Sequence, residues 1–133
     1  MIDDLKKALK ALTEHFSQRE EVLFAYVHGS VLERPNPNDV DVAVYVKESL
    51  VPRERALDYE LRQSVLLNRV VGGEADLKVL NYAPAAFAYH ATAGVLVFCR
   101  DEEARYAFLE NTWREYFDYL PYIRQYLRDI LTR

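Results

Sequence analysis

The spacing of apolar residues divides the chain into alternating predicted helices and strands. Residues 3–16 carry apolar side chains at helical spacing and predict an amphipathic helix. The runs Val22–His28 and Val40–Val46 are apolar at nearly every position, which is typical of central strands that are covered on both faces. A polar loop with two prolines joins these runs. The first part of the chain is therefore predicted to be a helix followed by two buried strands.

The rest of the chain continues this alternation. A long helix is predicted over 52–70, and its residues Leu57, Leu61 and Val65 share one stripe. The further predicted elements are a strand over 75–80, a helix over 84–92, a short or edge strand over Val95–Cys99, and helical residues 101–133 that Pro121 kinks or breaks. The helix between the second and third strands is long enough for a crossover. The order predicts one α/β (α+β) domain over 1–133, with a small mixed β-sheet and helices mainly on one face.

Two aspartates at the start of the second predicted strand are the first chemical signal. Asp39 and Asp41 are two residues apart, so on a strand both side chains point to the same face while Val40 points to the other. Two like charges held this close repel each other and lose hydration. A divalent cation compensates for both effects, and Mg²⁺ prefers carboxylate oxygens together with substrate phosphates and water. A solvated pair of aspartates without a metal is the alternative interpretation.

A Gly-Ser pair follows the first predicted strand. Gly29 allows the backbone to approach a ligand closely. The Ser30 hydroxyl and the free N–H groups of a short helix over 29–33 are suited to holding a phosphate. Arg34 in the loop is a candidate phosphate contact. The alternatives are a simple turn with a helix cap and a solvated loop arginine.

The order of these motifs resembles the minimal nucleotidyltransferase (MNT) family of the DNA polymerase beta-like nucleotidyltransferase superfamily. That family combines Gly-Ser, a loop, Asp-x-Asp on the next strand and a third carboxylate on a later strand. Gly29, Ser30, Asp39, Asp41 and Asp76 stand at the matching positions. The loop between Ser30 and Asp39 has eight residues and no glycine, which is short for the family.

The resemblance implies two-metal nucleotidyl transfer. Asp39 and Asp41 are expected to hold Mg²⁺ on a nucleoside triphosphate, with ATP as the substrate. One or both aspartates are expected to bridge to a second Mg²⁺, which Asp76 also binds. That second ion lowers the pKa of the attacking hydroxyl, and Asp76 helps to take its proton. The Gly-Ser pair and Arg34 are the expected nucleotide-binding residues.

The resemblance also implies a protein partner. Members of the family that are similar to this chain are often paired with a HEPN-domain protein, which is an RNase toxin. The chain is then expected to be the antitoxin of a type VII-like pair and to transfer AMP from ATP to a tyrosine of that toxin. One alternative is a non-catalytic binding module that occludes its partner, and another is transfer to a small molecule or to RNA.

Composition narrows the classes of function. The net charge of −4 argues against stable direct binding of nucleic acid, which requires a basic surface. A single cysteine, Cys99, excludes an internal disulfide and a cysteine-based zinc site. The sequence contains no run of about 18 apolar residues and no signal-like beginning. A cytoplasmic protein without a membrane span is the expectation.

The last predicted helical region is unusually aromatic. Its aromatic residues are Tyr106, Phe108, Trp113, Tyr116, Phe117, Tyr119, Tyr122 and Tyr126. They are more than one buried helix face requires. Packing of the helix on the sheet is the favoured interpretation, and an interface that forms a homo- or hetero-oligomer is the alternative.

Overall fold

The computed structural model describes residues 2–29 and 39–132 of the chain. The helices are α1 (Ile2–Ser17), α2 (Ala56–Val71), α3 (Ala85–Thr92) and α4 (Glu102–Leu131), and a 3₁₀ turn at Arg53–Arg55 precedes α2. The strands are β1 (Val22–His28), β2 (Val40–Val46), β3 (Ala75–Val79) and β4 (Val95–Cys99). Each of these elements was predicted from the hydrophobic pattern. The short helix predicted over 29–33 lies outside the described residues except for its first residue.

The four strands form one mixed sheet in the order β3-β2-β1-β4. Strand β1 runs antiparallel to both β2 and β4, whereas β2 and β3 are parallel. A parallel pair requires a crossover connection, which α2 provides. Strand β4 lies at an edge of the sheet, as its position and length predicted.

The two faces of the sheet pack against different helices because side chains alternate along each strand. Val42 lies on the face covered by α1 and α2, with Phe16 and Leu67, and we call this the α1/α2 face. Ala43 lies on the opposite face, with Ala88 of α3 and the first part of α4, and we call this the α3/α4 face. The α/β class and the mixed sheet are confirmed. The helices are divided two and two, more evenly than the sequence indicated, because the alanine-rich α3 has little apolar periodicity to show which face it covers.

Helix α2 also covers the open edge of β3. Alternate N–H groups of an edge strand have no strand partner, and here three side chains spaced one helical turn apart accept them. The bonds run from the Val79 N–H to Glu60 Oε2 at 2.8 Å, from the Leu77 N–H to Ser64 Oγ at 2.9 Å, and from the Ala75 N–H to Asn68 Oδ1 at 2.8 Å. Four helical residues and two strand residues both advance by about 6 to 7 Å, so the two spacings match.

This polar row fixes which side of α2 faces the core. Leu67 and Val71 are buried, whereas Leu57, Leu61 and Val65 are 65%, 62% and 66% exposed. The predicted stripe therefore exists but points to solvent. Its orientation follows from the hydrogen bonds to β3, which the hydrophobic pattern alone does not show.

Helix α4 begins on the sheet and extends away from it. The Asp101 side chain caps the helix by accepting the Ala104 N–H at 3.0 Å. Arg105 donates to the Tyr26 hydroxyl at 3.1 Å and so ties the first turn to β1. The helix continues through Pro121, so the proline does not break it. All residues from 121 to 132 are exposed, and the distal part of α4 makes little contact with the rest of the described chain.

The aromatic residues of α4 divide accordingly. Phe108 packs on Tyr45 with ring centroids 4.9 Å apart, and Tyr116 stacks on Tyr89 of α3 at 4.1 Å. The remaining six are exposed: Tyr106, Trp113, Phe117, Tyr119, Tyr122 and Tyr126. Packing of the helix on the rest of the domain therefore accounts for two of the eight aromatic residues. It does not account for the six exposed ones. Within the part of the chain that the structure describes, no helix combines the length and apolar character needed to cross a bilayer.

Candidate active site

A row of polar residues crosses three strands at one end of the sheet. His28 at the end of β1 is the cross-strand partner of Asp41 on β2, and Asp41 is the partner of Asp76 on β3. Partners in register point to the same face, so the two carboxylates share the α3/α4 face. Asp39 lies just before β2 and is exposed. The sheet thus places Asp41 and Asp76 side by side, as the sequence predicted.

The surroundings of Asp41 disfavour the ionised form of its carboxylate. Its carboxylate is partly buried, and this burial raises its pKa above the ordinary value. The charge of His28 acts to lower that pKa, while the negative charges of Asp39 and Asp76 raise it further. The three aspartates are therefore near enough to repel one another. A positive ligand at this point would relieve the repulsion.

Gly29 brings the backbone of β1 close to Asp41. Its φ of 87° lies in the left-handed region, which residues with a side chain rarely adopt. A Cβ added at this position would lie 2.6 Å from Asp41 Oδ2. Glycine is thus needed here for its conformation and for the space it leaves beside the carboxylate. This supports the close backbone approach inferred from the Gly-Ser pair.

Gly94 supports the same corner from outside the motif. A Cβ at Gly94 would collide with the carbonyl oxygen of Val27 and would lie 3.1 Å from the Cα of His28. The turn between α3 and β4 therefore packs directly on the last residues of β1. Nothing in the local sequence around Gly94 identifies this contact.

His28 has a larger place in the site than the sequence indicated. Its ring meets Phe87 of α3 edge-on, with centroids 5.5 Å apart. The Nε2 atom is buried and has no hydrogen-bond partner among the described residues. Burial lowers the pKa of His28, and the nearby charges of Asp41 and Asp76 act in the opposite direction. His28 is therefore not a strand histidine whose ring nitrogens are both satisfied within the described residues.

Two of the expected nucleotide-binding residues, Ser30 and Arg34, lie outside the described residues and remain predictions. Lys78, two residues after Asp76 on β3, lies on the same face of the sheet as Asp76. It pairs with Ala43 on the α3/α4 face. Its side chain is exposed.

The chemistry of the donors fits a hard divalent cation. Carboxylate oxygens are the ligands that Mg²⁺ prefers, and Asp41 and Asp76 are neighbours in register with Asp39 close by. In residues 2–29 and 39–132, however, no three Asp, Glu, His or Cys side chains converge closely enough to hold an ion. The donor set is thus of the right type and on the right face, and its convergence on a metal remains a proposal.

A family model and several solved structures match this chain. The family model described as "Polymerase beta, Nucleotidyltransferase" matches residues 10–103, which include all four strands and every candidate site residue. No curated protein sequence matches the chain.

Several solved structures share the fold at low sequence identity. One is a toxin–antitoxin structure, MntA-HepT, with a TM-score of 0.67, 16% identity and complete coverage of both chains. A second is a toxin–antitoxin structure with AMP-PNP, with a TM-score of 0.66, 17% identity and coverage of 97% of this chain and 98% of the other. A third is a tri-AMPylated Shewanella oneidensis HEPN toxin in complex with MNT antitoxin, with a TM-score of 0.63, 17% identity and coverage of 98% and 97%.

The structural likeness by itself shows a shared fold. The family match covers most of the chain and includes the Gly-Ser pair, Asp39, Asp41 and Asp76. The chain belongs to the polymerase beta nucleotidyltransferase family.

Proposed function

We propose that this protein is a Mg²⁺-dependent nucleotidyltransferase that transfers AMP from ATP to a tyrosine hydroxyl of a HEPN-domain toxin and thereby acts as its antitoxin. The observation that carries the proposal is the row in which Asp41 and Asp76 stand side by side, with the backbone of Gly29 against Asp41. This row combines acidic donors for a cation with a close backbone approach suited to a phosphate chain.

The proposed roles follow from the positions of the residues. Asp39, Asp41 and Asp76 hold the divalent cation or cations. Bound there, Mg²⁺ would neutralise the triphosphate and favour ionisation of the acceptor hydroxyl. Gly29 and Ser30 hold the phosphate chain on the β1 side of Asp41. Asp76, on the β3 side, accepts the proton of the acceptor directly or through water.

The reaction is a substitution at the α-phosphorus of ATP. The acceptor oxygen forms a bond to that phosphorus, the bond from the α-phosphorus to the oxygen bridging to the β-phosphate breaks, and pyrophosphate leaves. The protein contributes mainly position and charge, as is usual in phosphoryl transfer. The product is a phosphodiester between AMP and the acceptor side chain.

The proposed partner is supported by two of the similar structures. One holds a HEPN toxin that is tri-AMPylated, and the other holds AMP-PNP. Both share the fold of this chain at 17% identity. The extension from those proteins to this one is an inference from the shared fold and from the carboxylate row.

A second candidate function is inhibition by occlusion, without chemistry. It is favoured by the distal part of α4, which exposes Tyr119, Tyr122 and Tyr126 on a helix with little contact to the described chain. Exposed apolar surface of this kind is typical of protein–protein interfaces. Occlusion and AMP transfer predict different effects of the same carboxylate substitution.

The test uses the purified protein with a co-expressed HEPN partner, Mg²⁺ and ATP labelled at the α-phosphate. AMP transfer predicts label on the partner, none with ATP labelled at the γ-phosphate, and none with Asp41→Asn. Glu14→Gln is the matched control, because Glu14 is exposed on α1, which packs on the face of the sheet opposite the carboxylate row. If the Asp41→Asn variant places no label on the partner but still inhibits it fully, occlusion is the function.

A further inference from the structure

An open cleft of about 550 Å³ lies beside the carboxylate row, between the start of α2, the end of β3 and the loop that leads to α3. Its lining is mainly apolar and includes Leu57, Pro84 and Phe87. Tyr82, Arg53 and Lys78 add an aromatic ring and two cations. We call it the β3 cleft.

The cleft begins where the carboxylate row ends. Lys78 is two residues beyond Asp76 on β3, so both side chains point to the α3/α4 face. Phe87, on the opposite wall, is the residue that contacts the His28 ring. A molecule in the cleft would therefore lie on the β3 side of the carboxylate row.

The topology separates this cleft from the phosphate corner. Gly29 follows β1, which flanks β2 on one side, whereas β3 flanks it on the other. Asp41 stands between them. A triphosphate held at Gly29 therefore reaches the carboxylates from the β1 side and leaves the β3 side open for the second reactant.

The lining of the cleft carries two cations, Arg53 and Lys78, and one carboxylate, Glu60. The Arg53 guanidinium lies 5.0 Å from the centre of the Tyr82 ring, and this contact stabilises its position in the lining. Among the described residues, neither Arg53 nor Lys78 forms an ion pair. Glu60, the acidic residue of the lining, already accepts the Val79 N–H. Two cations thus remain for an incoming partner.

An exposed aliphatic stripe leads out of the cleft. Leu57, Leu61 and Val65 occupy successive turns of one side of α2, and Leu57 also lines the cleft. Each of these residues comes three positions before one of the α2 side chains that accept a hydrogen bond from β3, which are Glu60, Ser64 and Asn68. The stripe therefore runs alongside the β3 edge of the sheet. Three aliphatic side chains more than 60% exposed in line form the kind of surface that another protein covers.

We infer that the β3 cleft and this aliphatic stripe dock the protein acceptor. The segment that carries the target tyrosine enters the cleft with its ring between Tyr82 and Phe87 and its hydroxyl toward Asp76. Acidic residues beside the tyrosine meet Arg53 and Lys78, and an apolar face of the acceptor covers the stripe. This inference rests on the proposed function and identifies the surface that selects the acceptor.

The experiment separates acceptor recognition from nucleotide recognition. Steady-state AMP transfer to the HEPN partner is measured for the wild type, Lys78→Glu and Leu61→Glu, with partner and ATP varied in turn. The matched control is Leu66→Glu, the same change at an exposed leucine of α2 outside the stripe and the cleft lining. Thermal unfolding confirms that each variant is folded, and transfer to a small phenol such as N-acetyltyrosine amide reports the chemistry without docking.

We expect Lys78→Glu and Leu61→Glu to raise the KM for the partner at least tenfold. For Leu61→Glu, which lies outside the cleft lining, the KM for ATP and transfer to the small phenol should change less than twofold. Leu66→Glu is expected to behave as the wild type. If the KM for the partner is unchanged in both Lys78→Glu and Leu61→Glu, the inference is overturned. It is also overturned if only the KM for ATP increases, because the cleft would then belong to the nucleotide site. A wild type that labels neither partner nor phenol overturns the proposed function itself, and the inference fails with it.

Discussion

Strand β2 presents different kinds of side chain to the two faces of the sheet. On the α1/α2 face, the side chains of β2 are valines with at most 1% exposure, in one cluster with leucines of α1 and α2 and with Phe16 of α1. On the α3/α4 face, the same strand presents Asp41 with its pKa raised, between His28 and Asp76. One strand therefore carries fully buried valines on one face and a partly buried carboxylate on the other.

This difference shows where the stability and the activity of the protein reside. Burial of apolar side chains is the main stabilising contribution to folding, and it is concentrated on the α1/α2 face. Functional sites commonly keep local arrangements that cost stability and are held by the rest of the fold. Substitutions in the apolar core of the α1/α2 face should change the free energy of unfolding, and substitutions in the carboxylate row of the α3/α4 face should change activity.

The sharpest test of this comparison is Asp41→Asn. It should reduce AMP transfer by about a thousandfold, as removal of a single group that stabilises transition-state charge can do. It should also raise the midpoint of thermal unfolding in metal-free buffer, because burial and the charges of Asp39 and Asp76 make the ionised carboxylate unfavourable. Calorimetry and the labelling assay measure the two effects. A variant less stable than the wild type would show that other groups already satisfy the carboxylate.

The opposite result is expected from Leu67→Ala on the α1/α2 face. Leu67 is completely buried, so its truncation should lower the free energy of unfolding by about 2 to 5 kcal/mol. Activity per folded molecule should be unchanged below the melting temperature. The matched change Leu61→Ala, at an exposed position of the same helix, should cost less than about 0.5 kcal/mol. Urea unfolding measures both, and equal costs would contradict the assigned orientation of α2.

Two glycines with similar backbone conformation allow a closer comparison. Gly29 and Gly72 have φ of 87° and 72°, so alanine should strain both by roughly 1 kcal/mol. Only Gly29 has a carboxylate where the new Cβ would lie. Gly29→Ala should therefore lower AMP transfer by roughly a hundredfold, as expected when a reacting group moves by about 1 Å, and Gly72→Ala should leave it unchanged. Similar activity in the two variants would remove the role given to Gly29.

The smallest expected effect is the dependence of stability on pH. Burial lowers the pKa of His15 in the folded protein below its ordinary 6.5, although its bond to Gln63 opposes this. Between the two values the unfolded chain binds more protons, so the free energy of unfolding falls as the pH drops through about 6.5 and levels off below the folded pKa. His15→Gln should weaken this dependence, measured by urea unfolding at pH 5 to 8. A dependence of opposite sign would contradict the burial of His15.

Much of the fold could be predicted from the sequence because strands of this kind are marked by continuous apolar runs. Strands Val22–His28 and Val40–Val46 have the predicted bounds. The orientation of α2 could not be predicted, since it depends on Glu60, Ser64 and Asn68 bonding an edge that exists only once the sheet has formed.

The candidate site could be predicted in part for a similar reason. Asp41 and Asp76 come together because period-two alternation and parallel pairing both act on short, regular strands. The contacts of His28 with Phe87 and of Gly94 with Val27 join elements far apart in the chain and leave no local pattern.

The most direct test of the central claim is a crystal structure of the protein with an ATP analogue and Mn²⁺ in place of Mg²⁺. The anomalous signal of manganese should place an ion about 2.1 Å from carboxylate oxygens of Asp41 and Asp76 and close to the phosphates. Asp39 should complete the set of acidic ligands. An ion bound elsewhere, or a nucleotide bound with Asp41 and Asp76 making no contact with metal, would contradict the account.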